Sequence, residues 1–123
     1  MEKICVMLDR LSKSKFRSSF HLNKKMKEYV NNRGMDEVIK HAYEIINKRL
    51  RPSVIPNDGH QTPMRQVHPV FIAQHACACC CRGCLNKWYK IDMNRELTDD
   101  EVNYIVNILM EWIKGECEKK DLF

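Results

Sequence analysis

Residues 98–113, Thr-Asp-Asp-Glu-Val-Asn-Tyr-Ile-Val-Asn-Ile-Leu-Met-Glu-Trp-Ile, decide the fold class. Thr98 and Glu101 stand three apart, the spacing at which a hydroxyl bonds a first-turn amide while the carboxylate reaches back to the cap. Behind them Val102, Ile105, Val106, Leu109, Trp112 and Ile113 recur at the intervals of one helix face, so a long helix with a buried stripe is expected.

Working outward, the same period holds almost everywhere. Ile4, Met7, Leu8 and Leu11 make a short opening helix. Residues 12–20 form a polar, serine-rich joint whose Phe16 and Phe20, four apart, are expected to dock on the core. A second helix covers 24–32 with Met26, Tyr29 and Val30 inward, stopped by Gly34. The third carries Met35, Val38, Ile39, Ala42, Ile45, Ile46 and Leu50 on one side. Its acidic residues sit at the start and its basic ones at the end, as the helix dipole favours, and Pro52 closes it. Residues 52–64 hold Pro52, Pro56, Pro63 and the turn string Asn57-Asp58-Gly59, so a long polar loop over about 52–67 is expected. Pro69 opens another helix, and a further one runs from about Cys80 or Cys81 to Tyr89 with Leu85 and Trp88 inward. Val70, Phe71 and Ile72 could also read as a short strand, but helix is preferred there and nothing reads as a sheet. The expectation is an all-α chain of five or six short helices forming a single domain over 1–123.

The chemistry concentrates in His75-Ala-Cys-Ala-Cys-Cys-Cys-Arg-Gly-Cys84, which holds five of the seven cysteines. The opening ten residues have too short an apolar run for a secretory signal, and residues 66–81 are too polar to span a bilayer, so a cytoplasmic protein without membrane contact is expected. In a reducing compartment clustered thiols favour metal or redox chemistry over disulfides. Cys81 and Cys84 make a C-x-x-C half-site, and a helix N-terminus there would stabilise thiolate. Cys80 and Cys84, four apart, can share a face. His75 leads into the cysteines. His68, seven residues earlier, would lie about 10.5 Å away along a straight helix, so it reaches the same ion only by bending inward at Pro69. The expected ligands are therefore His75, Cys81 and Cys84, with Cys80 or His68 fourth, and the expected ion is zinc. An iron–sulfur cluster fits less well, because four thiolates in its stereotyped run are missing. Cys77 and Cys79 read as small apolar fillers.

Three function classes follow. One is a binding module with a structural metal. Its basic segment over 10–33, with eight Lys or Arg against Glu28 alone, would meet nucleic acid or an acidic protein. The second is a metalloenzyme of hydrolase type with an open metal position. Asp58 would be its general base, with Gln61, Thr62 and Arg65 as substrate contacts and Arg65 or Arg82 holding an anion. The third is a thiol redox or metal-handling protein. The long amphipathic last helix also offers a face for a homodimer.

Residues 57–65 (Asn-Asp-Gly-His-Gln-Thr-Pro-Met-Arg), 68–76 (His-Pro-Val-Phe-Ile-Ala-Gln-His-Ala) and 80–88 (Cys-Cys-Arg-Gly-Cys-Leu-Asn-Lys-Trp) together resemble the signature of a small prokaryotic family of unknown function, DUF4186. The resemblance implies that the polar loop and the His/Cys segment belong to one site, with His68, His75, Cys80, Cys81 and Cys84 matching the pattern. It implies that Cys77 and Cys79, which stand where the family has threonine, are not shared ligands. Tyr89 replaces a usual histidine. No activity is implied.

Overall fold

In a computed structural model, which describes residues 1–119, helix α6 (Asp99–Glu118) forms the axis on which the other elements pack. Thr98 caps it as expected: its hydroxyl accepts from the Glu101 amide at 3.1 Å, and the Glu101 carboxylate accepts from the Thr98 amide at 2.9 Å. Arg95 clamps that carboxylate from the other side with two 2.8 Å bonds. The stripe is core, with Ile105, Val106, Ile108, Leu109 and Ile113 fully buried. Each such side chain contributes about 1.5–3 kcal/mol by leaving water.

The stripe is covered from within the chain. Helices α1 (Ile4–Ser12), α2 (Lys24–Arg33), α3 (Met35–Arg49) and α4 (Pro69–Ala76) all contact α6. Its outward positions are Asp100, Asn103, Asn107, Glu111 and Lys114. The apolar stripe of α6 is thus covered by these helices.

Helix α5 (Arg82–Tyr89) completes six α-helices, joined by one 3-10 turn (Arg17–Ser19), and no strand forms among the described residues. The α2–α3 corner is turned by Gly34 at φ +84°, a backbone state that side chains with a Cβ resist. Of the phenylalanine pair, Phe20 packs against the core while Phe16 stays exposed with its ring edge-on to Phe20. Residues 52–67 are irregular, as their prolines and turn string require. No helix among the described residues is long and apolar enough to cross a membrane.

Arg82 holds the lower half together. It is 4% exposed, and its guanidinium donates to four carbonyls: Leu50 (3.3 Å) and Pro52 (3.0 Å) after α3, Asp92 and Arg95 (2.8 Å each) before α6. A ligand-holding role for Arg82 is therefore corrected: it staples two loops.

Candidate metal centre

The site forms where α4 ends and α5 begins. Ala78 adopts a left-handed backbone (φ +57°), which turns the chain so that Cys80 and Cys81 fold back over the start of α5. Cys81 is the N-cap of that helix, and its sulfur accepts from the Cys84 amide at 3.3 Å. The sulfurs of Cys80, Cys81 and Cys84 all lie within 4.8 Å of one another, a group able to hold a metal ion. Cys80 and Cys84 lie 3.6 Å apart. A tetrahedral zinc with bonds near 2.3 Å would space its sulfurs about 3.8 Å apart, so the observed edge already fits the ion. All seven cysteines are free thiols.

Two side chains from far along the sequence complete the surroundings. The first is Asp58, half-buried in the loop. Its carboxylate accepts from the amides of Arg82 (3.0 Å) and Gly83 (3.1 Å), the first two residues of α5, and from Gln61 (2.8 Å). It is a helix cap supplied across 24 residues, at the end where a negative charge is favoured. As a general base Asp58 would have to give up these bonds, which hold the start of α5. Arg65 is exposed on the same loop. Thr62 is buried, and its hydroxyl donates to the Cys80 carbonyl at 2.9 Å, so it too is part of the scaffold.

The second is Arg17, from the 3-10 turn. It is 8% exposed and donates to the sulfur of Cys84 at 3.2 Å, to that of Cys80 at 3.6 Å and to the His75 carbonyl at 2.8 Å. Desolvation alone would lower its pKa, but the hydrogen bonds it donates to Cys80 and Cys84 outweigh that and raise it. Sequence reading places Arg17 on a solvated basic face. Helical periodicity says nothing about a residue in a 3-10 turn, so no local signal marks it.

The three thiols are shifted in opposite directions. Cys84 is held well below the ordinary thiol range, first by hydrogen bonds from Cys80 and Cys81 and then by Arg17. Cys81 is pushed up by its bonds to Cys80 and Cys84 and by burial. At Cys80 the lowering effect of Cys81 is overcome by Cys84 and burial, and the thiol is raised. Cys77 and Cys79 are wholly buried, and burial raises both, Cys79 to about 12. Burial of this kind suits small apolar fillers.

The histidines stand apart from the sulfurs among the described residues. His75 is 8% exposed, and its ring is stacked on Phe20 with centroids 5.3 Å apart. Its Nε2 lies 3.0 Å from the Thr62 carbonyl, which can only accept. The proton therefore sits on Nε2, and Nδ1 keeps a lone pair. His68 is the N-cap of α4: its Nδ1 accepts from the Val70 amide at 3.1 Å. Its Nε2 must then carry the proton, directed at Nδ1 of His41, 3.2 Å away. Both ring nitrogens of His68 are engaged, and the structure does not bring it to the cysteines. Burial, then the neighbouring His41, lowers its pKa to about 4. Its place at Pro69 was legible, but histidine is rarely read as a cap, and its partner lies on α3.

No solved structure matches the chain. A family model described as a domain of unknown function, DUF4186, matches residues 6–114, which span every helix but the ends of the first and last and all of the sulfur site. On that match the chain belongs to the DUF4186 family.

Proposed function

We propose that this chain is a cytoplasmic zinc protein whose ion is held by Cys80, Cys81 and Cys84 with His75 as fourth ligand, and whose metal is mainly structural. The observation that carries the reading is the convergence of three sulfurs within 4.8 Å of one another, one pair at 3.6 Å, beside a buried guanidinium. Thiolate donors suit zinc, and a reducing compartment keeps them free. His75 lies outside the group of mutually close sulfurs and would turn toward the ion to ligate it, and its tautomer supports that fourth place. A ligating imidazole ordinarily donates its other N–H to a carbonyl, as Nε2 does here to Thr62, which leaves Nδ1 as the donor. The ion would fix the α4–α5 corner to the 3-10 turn and the polar loop, strengthening a small core.

Elemental analysis of the purified protein tests this. One zinc per chain is expected in the wild type, lost in Cys84→Ser and weakened in His75→Ala. Retention of stoichiometric zinc in both variants refutes the ligand set. A metalloenzyme remains the second reading because three sulfurs alone equal the donor count of a catalytic zinc. X-ray absorption separates the two: three sulfurs with one nitrogen supports the structural ion, and three sulfurs with one water oxygen supports the enzyme.

The partner proposal concerns the basic segment. Arg17 is turned inward; Arg10, Lys13, Lys15, Lys24, Lys25 and Arg33 are exposed, with Lys13 meeting Asp9 at 3.1 Å and Arg33 meeting Glu37 at 3.6 Å. We propose nucleic acid or an acidic protein surface as their partner. Binding to an oligonucleotide that weakens steeply with salt supports the nucleic-acid form, and no binding at low salt removes it.

A further inference from the structure

We infer that Arg17 sets the valence of the ion this centre prefers, favouring a divalent over a trivalent soft cation. The inference rests on the metal reading above and goes beyond it, because it concerns which ion is excluded and by what.

Charge balance is the physical basis. Three bound thiolates carry three negative charges, and an arginine is permanently positive in a protein. Arg17 touches two of the three sulfurs and is almost wholly buried, so its charge belongs to the centre. With a divalent ion the sum is zero, and the complex sits in the protein interior without an uncompensated charge. A trivalent ion of the arsenite type is already neutral with three thiolates, which strands the guanidinium beside a centre that no longer attracts it. An unpaired buried charge is among the costlier features a protein can hold. Removing the guanidinium reverses the ranking: the divalent complex is left with one net negative charge and the trivalent complex with none.

The geometry makes the effect specific. Arg17 is fixed at three points, and the third, the His75 carbonyl at 2.8 Å, is on the helix that leads into the cysteines. Its amide is held in turn by the Ser14 hydroxyl at 3.2 Å. The guanidinium flanks the Cys80–Cys84 edge through its contacts with both sulfurs.

Both loadings are ligand exchanges with no change of oxidation state. Zinc displaces the protons that remain on the three thiols. Arsenite, As(OH)3, exchanges three As–O bonds for three As–S bonds, and each departing hydroxide leaves as water with one proton, taken from a thiol or, where the sulfur is already a thiolate, from solvent.

The experiment compares zinc and arsenite affinities of the reduced wild type with those of Arg17→Met and Arg17→Lys. Zinc is read by competition with a chromophoric chelator, arsenite by loss of titratable thiols, and folding by circular dichroism. In Arg17→Met zinc affinity is expected to fall about tenfold or more, the usual scale for outer-shell partners, while arsenite affinity holds or rises. Arg17→Lys, which keeps the charge, is expected to retain most of the zinc preference. A parallel fall in both affinities, or no change in either, overturns the inference. If Arg17→Met does not fold, the ratio in Arg17→Lys decides: a ratio near that of the wild type supports the charge effect, and a collapsed ratio overturns it. A wild type that binds no zinc, or a Cys84→Ser variant that still does, removes the metal reading itself and is a separate result.

Discussion

Replacing Asp58 separates a scaffold role from a chemical one. Its carboxylate caps the first two amides of α5 from a distant loop, at 3.0 and 3.1 Å. Asp58→Ala leaves both amides without that acceptor. A lost N-cap typically costs about 1 kcal/mol and at most about 2, and the helix dipole adds about 0.3–1 kcal/mol for the missing charge. Because Asp58 also ties down the loop through Gln61, the expected total is about 2–3 kcal/mol. At this chain length that corresponds to a drop in Tm of roughly 8–12 °C. Asp58→Asn keeps one acceptor oxygen and should lose about half as much. The assay is urea unfolding of metal-stripped, fully reduced protein, so that the cap is measured without the ion. Zinc affinity should fall alongside, since the same helix start positions Cys81 and Cys84. If Asp58→Ala unfolds within about 0.5 kcal/mol of the wild type, the carboxylate is not holding the helix and the reasoning fails.

Further outcomes follow from the same structure. Arg82→Met should destabilise by about 3 kcal/mol or more, because four carbonyls lose a shared charged donor; chemical denaturation checks this, and a loss under 1 kcal/mol would contradict the staple. Stability should fall on acidification because of His68. Its folded pKa of about 4 lies below the unfolded value near 6.5, so the unfolded chain takes up the proton first. The loss begins as pH drops through 6.5, is complete below about 4, and is expected to reach about 1–2 kcal/mol after discounting for partial exposure. His68→Asn, which keeps a capping acceptor, should flatten that slope between these pH values; an unchanged slope in urea titrations would count against the assignment. Native, metal-free protein should alkylate fastest at Cys84 and leave Cys77 and Cys79 unmodified until it unfolds, as read by mass spectrometry of peptides.

The helices were legible because each has a local cause. Apolar spacing, Thr98 with Glu101, Gly34 and Pro69 all act within four residues of their effects, and the structure has each where the pattern put it. The three cysteines were legible for the same reason, since C-x-x-C with a preceding cysteine is a short-range signature. What escaped was non-local. Arg17, Asp58 and Arg82 look like ordinary surface charges in sequence, and only the tertiary fold gives them sulfurs, amides and carbonyls to meet. The surroundings of His68 are not legible in the sequence, because its helix-capping tautomer depends on His41 and on the direction of one backbone amide.

Arg17 lies 58 to 67 residues ahead of the groups it touches. Closing so long a stretch carries an entropy cost that local pairs avoid, so this contact belongs among the late events of folding. A short synthetic segment carrying the cysteines would hold the thiols without their counter-charge. During synthesis the arginine emerges first, and the cysteines later join a chain in which it is already present.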